Sequence, residues 1–530
     1  MELIIGDMRI PVERDGTEGY LKAISQRLKI SEDDIRLVKI LSKSLDISDK
    51  EQFYYDISIV VSTPDSFDSS KDFPVYTSEI KTAGKAKKIK ERPVIIGFGP
   101  AGMFAALELI EYGLKPLIFE RGKKIEERSI DVRRFIKERI LDPESNIQFG
   151  EGGAGSYSDG KLFARIKNSA YADKVLDTFI KFGAPEEIGY ISKPHLGTDV
   201  LCKIVRNIRS HILERGGEIH YCSKMTDILI SDNKVSGVII NREKEYRSSI
   251  VYLALGHSAR DTFGMLHKKG IILEQKPISV GVRVEHPAGI INLMRYGDKY
   301  KDFPAIGAAS YSVNYTDRKA GRGVYTFCMC PGGEVINASS ENGLLVVNGM
   351  SYSKRASAFS NSALVVTCHT DDYKSPSPLA GIEFQKEIER RAFAAAGGRW
   401  EVPAQNLVDF LYGRASASLN RNSYEMGAAA VNMNELFPDF VSETLLAAFN
   451  NWREDYPLFV SDHGILLGAE TRTSSPVRIK RSAKYESVNI ENLYPIGEGS
   501  GYTGGITSSA ADAIRAVEVS LSKIDSSRLK

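Results

Sequence analysis

The segment Val94-Ile95-Ile96-Gly97-Phe98-Gly99-Pro100-Ala101-Gly102 constrains this chain more than any other. An apolar run leads into a G-x-G-x-x-G. Small and aliphatic residues then recur at helical spacing (Ala101, Ala105, Ala106, Leu109, Ile110) until Gly113. A second apolar run, 116–119, ends at Glu120. Strand, glycine turn, helix, strand and acid, in that order, make a dinucleotide-binding βαβ unit. Gly97 permits the tight turn, Gly99 lets the backbone approach a pyrophosphate, and Gly102 lets the helix pack closely on the strand. The helix N-terminus offers free N–H groups and partial positive charge to phosphates. Glu120 can accept hydrogen bonds from a ribose, and its charge disfavours a 2′-phosphate.

The rest of the chain sets the surroundings of this unit. Its 530 residues are enough for several domains, and 42% hydrophobic with 26% charged residues is ordinary for a soluble globular protein. A net charge of +2 gives no bulk attraction to nucleic acid or anionic membrane. Five cysteines, an odd count, argue against a disulfide framework and fit a reducing, cytoplasmic setting. The first eleven residues carry Glu2, Asp7 and Arg9, unlike a signal peptide. The uncharged stretch 93–107 is too short to span a bilayer, so no membrane segment is expected.

Residues 1–80 read as a small, separate α+β unit. Strands are expected at 3–5, 9–12, 35–41 and 54–61, a helix at 16–28, and a helix start at Ser31. A polar stretch, 63–92, follows, with a basic run of Lys81, Lys85, Lys87, Lys88, Lys90 and Arg92. Its portion 81–92 reads as a solvated linker rather than a nucleic-acid arm. Residues 93–265 alternate strand and helix. The pattern then turns irregular and rich in Gly, Ser and Tyr across 266–479, with helical patches at 381–396 and 441–452. A strand at 493–496 and a helix at 506–522 lie within the closing part, 480–530. The fold expected is α/β: one Rossmann-type unit in two parts, a large inserted α+β substrate domain, and the N-terminal α+β unit.

Two more glycine segments bear on the cofactor. Gly150-Glu151-Gly152-Gly153-Ala154-Gly155-Ser156-Tyr157-Ser158-Asp159-Gly160-Lys161 is too glycine-dense for a helix or strand, and Ser156, Ser158 and Lys161 could reach polar groups of a ligand. Tyr494-Pro495-Ile496-Gly497-Glu498-Gly499-Ser500-Gly501-Tyr502-Thr503-Gly504-Gly505-Ile506 runs from strand to acid to a Gly-Gly pair opening a helix. With these, the chain resembles the two-dinucleotide-binding-domain flavoprotein superfamily. A weaker match is Tyr252-Leu253-Ala254-Leu255-Gly256.

More narrowly it is similar to bacterial NAD(FAD)-utilizing, or FAD-dependent, dehydrogenases. That resemblance rests on Ser145 through Gly155, Gly281-Val282-Arg283-Val284-Glu285-His286-Pro287, Phe327-Cys328-Met329-Cys330-Pro331-Gly332-Gly333 and Glu470-Thr471-Arg472-Thr473-Ser474-Ser475-Pro476-Val477-Arg478. Ser156-Tyr157 departs from a familial Thr-Phe, and Ala513 from a familial Gly. The resemblance implies FAD, held by Gly97, Gly99, Pro100, Ala101, Gly102, Glu120 and Arg121 on the fingerprint side. Gly152, Gly153, Ala154, Gly155, Ser158, Lys161 and Gly256 would join them. Gly497, Glu498, Gly504, Gly505 and Ile506 would close the site, with Glu498 near the ribityl chain and the Gly504-Gly505 helix start beneath the flavin ring.

The implied activity is oxidation or reduction, through the flavin, of a substrate that the sequence does not name. The alternative is a non-catalytic or RNA-associated FAD-binding module that senses redox state. No second fingerprint marks a nicotinamide domain. NADH or NADPH would therefore dock transiently, or the substrate itself would supply electrons.

Cys328 and Cys330 lack the partners of a zinc site, so no metal is expected. They are candidates for redox work beside the flavin, although small buried apolar residues are the favoured reading. Arg472 is the candidate for binding an anionic substrate, against a structural role near Glu470. Arg283, His286 and Tyr502 are further pocket candidates. His257, His369 and His463 are scattered and read as structural.

Overall fold

The computed structural model describes residues 1–64, 67, 73–76, 91–162 and 170–528. Lys81, Lys85, Lys87, Lys88 and Lys90 of the expected basic linker lie outside them. Arg92 lies inside and is no linker residue. Its guanidinium clamps the sheet edge, bonding Glu218 and the carbonyls of Lys115 and Pro116.

Five short parallel strands form the central sheet, in the order Leu493–Pro495, Val251–Leu253, Val94–Ile96, Leu117–Phe119, Glu218–His220. Ile95 stands between Tyr252 and Ile118, and Tyr252 pairs with Tyr494. The final strand thus joins the sheet that the fingerprint strand began. The four strands from Leu493 to Phe119 are buried throughout, as parallel strands covered on both faces must be.

The fingerprint helix Pro100–Glu111 and the C-terminal helix Ile506–Arg528 cover one face, with Phe104, Ala105, Leu109, Ala510, Ile514 and Val517 in one core. The fingerprint helix is buried from Ala101 to Leu109, so it carries no polar face. An antiparallel meander, Met225–Ser231, Lys234–Ile240 and Lys244–Arg247, covers the other face. Met225, Ile228 and Val238 pack there on Val94, Ile96 and Phe119.

Between the two halves lies a seven-stranded sheet: Asn314–Asp317, Arg322–Cys330, Phe359–Cys368, Ile278–Pro287, Ile465–Glu470, Val402–Asn406, Ala428–Ala430. Only its last pair is parallel. This order corrects the irregular reading of 266–479. Ile278–Pro287 is buried from Ile278 to His286, so its side chains show no polar alternation to read. The helical patches are present as Ala380–Ala395 and Asp439–Asp455.

The N-terminal unit is a three-stranded antiparallel sheet, Glu2–Pro11, Tyr54–Ser62, Arg36–Asp46, with helix Thr17–Leu28. The two short strands expected at 3–5 and 9–12 are one strand with a bulge between Ile5 and Met8. The helix start at Ser31 yields a single 3-10 turn, Glu32–Asp34. The unit is not separate. Phe53 stacks on Tyr300 of the insert at 4.2 Å, Tyr300 donates to Glu13, and Lys43 exchanges backbone hydrogen bonds with Tyr190 and Ser192. Its apolar residues merge with the insert core. No helix among the described residues is long and apolar enough to cross a membrane.

Candidate functional site: a glycine cradle at the sheet's edge

Four segments distant in sequence meet at the C-terminal ends of the central strands. A β-carbon on Gly99 would stand 3.5 Å from the Cα of Gly153, one on Gly155 would stand 3.1 Å from Ile506, and one on Gly497 would stand 2.6 Å from that of Ala101. Gly499 backs in the same way onto the backbone of Gly256. The fingerprint turn, the 150–161 loop, the 254–256 turn and the closing motif therefore touch through glycine backbone. Gly97 has φ +99, and a β-carbon there would sit 2.3 Å from the Ala254 carbonyl oxygen, so the turn requires glycine. Gly256 and Gly505 face open space. Gly99 caps the fingerprint helix without a side-chain bond, which leaves the first-turn amides to a ligand.

Two buried side chains hold the cradle. Glu120 accepts from the amides of Phe98 (2.8 Å), Gly122 (2.9 Å) and Gly150 (3.0 Å), tying the fingerprint to the glycine loop. One oxygen thus serves two amides and the other serves one. Arg128 donates to the carbonyls of Asn146, Ile147, Gly150, Glu151 and Gly153 at 2.7–3.3 Å. No spacing rule points to Arg128. It sits among exposed charges on helix Ile125–Glu138, and only the fold turns it inward. Ser158 serves its own loop, donating to Gly155 and accepting from the Gly160 amide.

Glu498 keeps accessible surface although protein surrounds it, so it lines a recess. That burial pushes its carboxyl up to about 7, against Lys276 and the Gly505 amide. The chemistry of the set fits a dinucleotide such as FAD: main-chain amides at a helix start without a side-chain cap for a diphosphate, and carboxylates on either side for hydroxyls.

Beyond the loop lies a second polar group. Asp159 is buried, accepts two bonds from Arg355 and one from Ser351, and lies 3.5 Å from the Lys161 ammonium. Burial would raise its carboxyl, but Arg355 and Lys161 hold it below the usual range. Lys161 also pairs through its backbone with His195. Asp159 and Arg355 went unread in the sequence, because they are 196 residues apart.

Three expectations need correction. Arg121 does not face the cradle. It forms a fork to Asp261 (2.9 and 3.0 Å), bonds Glu144 (2.7 Å) and lies over Phe149. Successive residues leaving a strand point to opposite sides, so adjacency to Glu120 sent it away from the cradle. Arg472 is not free for a substrate. It forks onto Glu389 at 3.0 Å through both contacts and donates to Ser258 and Ser340. Arg260 forks onto the same carboxylate, at 2.7 and 2.8 Å. Cys330 is not poised as a thiolate: burial pushes its thiol up to about 11, the reverse of what a redox nucleophile needs. Cys328 is exposed, not the small buried residue expected. Cys328 occupies a bulge of its strand at φ +42 and lines a recess, with Arg283 donating to its carbonyl at 2.6 Å.

Of the other pocket candidates, Arg283 is buried 3.2 Å from Glu470. His286 stacks on Phe459 and bonds that residue's carbonyl. Tyr502 is 40% exposed beside the closing motif. His257 follows Gly256 and shares a hydrogen bond with Ser258. Burial and the nearby Arg472 and Arg260 push its imidazole down to about 3, so it is neutral.

Residues 277–473 match the family model described as "FAD-dependent protein, C-terminal domain-like". The chain is 42% identical over 513 residues to an "Uncharacterized protein" of Clostridium beijerinckii, spanning 95% of this chain and 96% of that one. It is 27% identical over 148 residues to a thiamine thiazole synthase of Pyrococcus horikoshii, across 28% of this chain and 45% of that enzyme. Among solved structures, the flavin-dependent brominase Bmp2 aligns at 13% identity and a TM-score of 0.37, over 82% of this chain and 79% of the brominase.

Proposed function

This chain belongs to the family of FAD-dependent proteins that share the C-terminal domain at 277–473, and from that premise we propose that it is an FAD-dependent oxidoreductase. The observation that carries the reading is the meeting of four glycine segments whose backbones crowd together around an open space. Amides at the start of helix Pro100–Glu111 would receive the diphosphate. Glu120 keeps one lone pair for a ribose, on the oxygen that serves a single amide, and Glu498 would face the sugar chain. The start of helix Ile506–Arg528 would lie beneath the ring, where its positive end favours negative charge. When bound, FAD supplies hydride or electron transfer.

The chain's own residues position and enclose. Arg128 fixes the loop, and Asp159 and Lys161 of that loop, with Arg355 from the insert, form a polar floor towards which a substrate would be drawn. The described residues contain one dinucleotide-type sheet, so a nicotinamide donor would have to dock from outside it.

The test is anaerobic mixing of the FAD-loaded protein with NADH and, separately, NADPH. The expected outcome is loss of the oxidised flavin absorbance with one of them and its return on admitting an electron acceptor. A loaded protein that neither nucleotide reduces, and that dithionite does reduce, would remove the nicotinamide donor from the proposal.

A further inference from the structure

The closing motif has two sides. One packs on the fingerprint, through Gly497 against Ala101. The other packs on strand Val477–Ile479: a β-carbon on Gly501 would stand 2.7 Å from the Val477 carbonyl oxygen and 2.8 Å from the Arg478 Cα. On this second side the cations divide into two kinds. Lys480 pairs with Glu274 at 2.7 Å, and Arg481 forks onto Asp512, which also accepts from the Gly497 amide. Lys276 and Arg478 have no carboxylate within ion-pair distance among the described residues. Glu274 stands opposite Arg478 in the register of the two-stranded ribbon, yet gives its carboxylate to Lys480.

Both unpaired cations are half-buried. Lys276 donates to Ser474 at 3.1 Å. Arg478 lies over the Tyr502 ring at 5.0 Å, with its Nε buried and without a hydrogen-bond partner. Arg481 lies over the same ring at 4.3 Å, and its amide donates to the Tyr502 hydroxyl. Tyr502 therefore holds Arg478 in place without neutralising it. Two half-buried like charges near each other are unfavourable unless an anion joins them. The acid whose charge acts on Lys276 is Glu498, on the wall of the cofactor recess.

We propose that Lys276 and Arg478, braced by Tyr502, bind the phosphate groups of a nucleotide hydride donor on the side of the closing motif opposite the fingerprint. The site rests on the reading above, that a nicotinamide nucleotide reduces this protein. It supplies what that reading lacks, a place for the nucleotide in a chain whose described residues hold one dinucleotide-type sheet. Arginine suits the fork geometry of a phosphate and lysine adds a point charge. Binding of this kind weakens with salt.

The experiment uses FAD-loaded protein and its Lys276→Gln and Arg478→Gln variants, with two readouts. Calorimetric titration of the oxidised protein with NADP⁺ and NAD⁺ measures binding without turnover. Anaerobic mixing with NADPH and NADH measures reduction. Each variant is expected to keep its FAD and its reduction by dithionite, and to bind the preferred nucleotide about tenfold more weakly, near 1.4 kcal/mol. Salt dependence should be shallower than in the parent. Preference for NADPH over NADH that disappears in Arg478→Gln would place the 2′-phosphate there, whereas equal weakening of both nucleotides would place the shared diphosphate. Unchanged nucleotide affinity in both variants overturns the proposal. Loss of FAD in parallel with nucleotide affinity also overturns it, by giving these cations to the cofactor. Nucleotide that binds the parent and not the variants, yet never bleaches the flavin, would sustain the site and sink the donor reading instead.

Discussion

A Gly99→Ala protein is expected to fold like the parent and to lose FAD affinity by about tenfold or more. The added β-carbon would stand 3.5 Å from the Gly153 Cα, an ordinary contact, and Gly99 has φ −83, which alanine adopts without strain. The fold therefore has no reason to object. A diphosphate meeting the Gly99 backbone does, because the methyl group stands where the two glycine segments face each other. Gly97→Ala is the contrasting case. Its β-carbon would stand 2.3 Å from the Ala254 oxygen at φ +99, so it is expected to damage the sheet as well as the site. Flavin content after gel filtration and the urea midpoint of the apoprotein together separate the two. Full FAD occupancy in Gly99→Ala would show that the cofactor does not approach that turn.

The largest stability loss is expected from Glu389→Gln. Its carboxylate is buried and takes forks from Arg260 and Arg472, one from the first half of the flavin domain and one from the insert, and Thr471 donates to it as well. Neutralising it leaves two buried guanidinium groups facing each other, a change of the kind that costs about 3–5 kcal/mol. Burial alone would raise this carboxyl, but Arg260 and Arg472 hold it well below the usual range. With the folded value depressed, its contribution is present above the unfolded value of about 4.3 and is lost as pH falls below it. Urea unfolding followed from pH 7 down to about pH 3, through the unfolded value, should show the parent losing stability below about 4.3 and Glu389→Gln, already weakened, losing less. Equal stability of the two proteins at pH 7 would mean that the cluster holds nothing together.

What the sequence showed and what it hid follow from distance along the chain. The fingerprint was legible because its parts lie within 27 residues, and each glycine has a local reason that the backbone alone enforces. The loop at 150–161 and the closing motif were legible as glycine segments, and the structure brings both to the fingerprint. Arg121 was misplaced because sequence adjacency says nothing about the side of a strand. Arg472 was misread because its partner is 83 residues away on a helix whose pattern shows only an amphipathic face. The insert sheet was illegible because its central strand is covered on both faces and carries no period-two signal. Lys276 is a single basic residue without a motif, and Arg478 is legible only as the end of the segment Glu470 to Arg478. Only the fold shows that their neighbours Lys480 and Arg481 found acids and they did not.

The most direct measurement is to denature the protein after saturating it with FAD and removing excess, then identify and count what is released. One FAD per chain, bound by the parent and lost in Gly99→Ala with its fold intact, is the predicted result. A well-folded parent that emerges colourless, with no FAD retained, would contradict the account at its root.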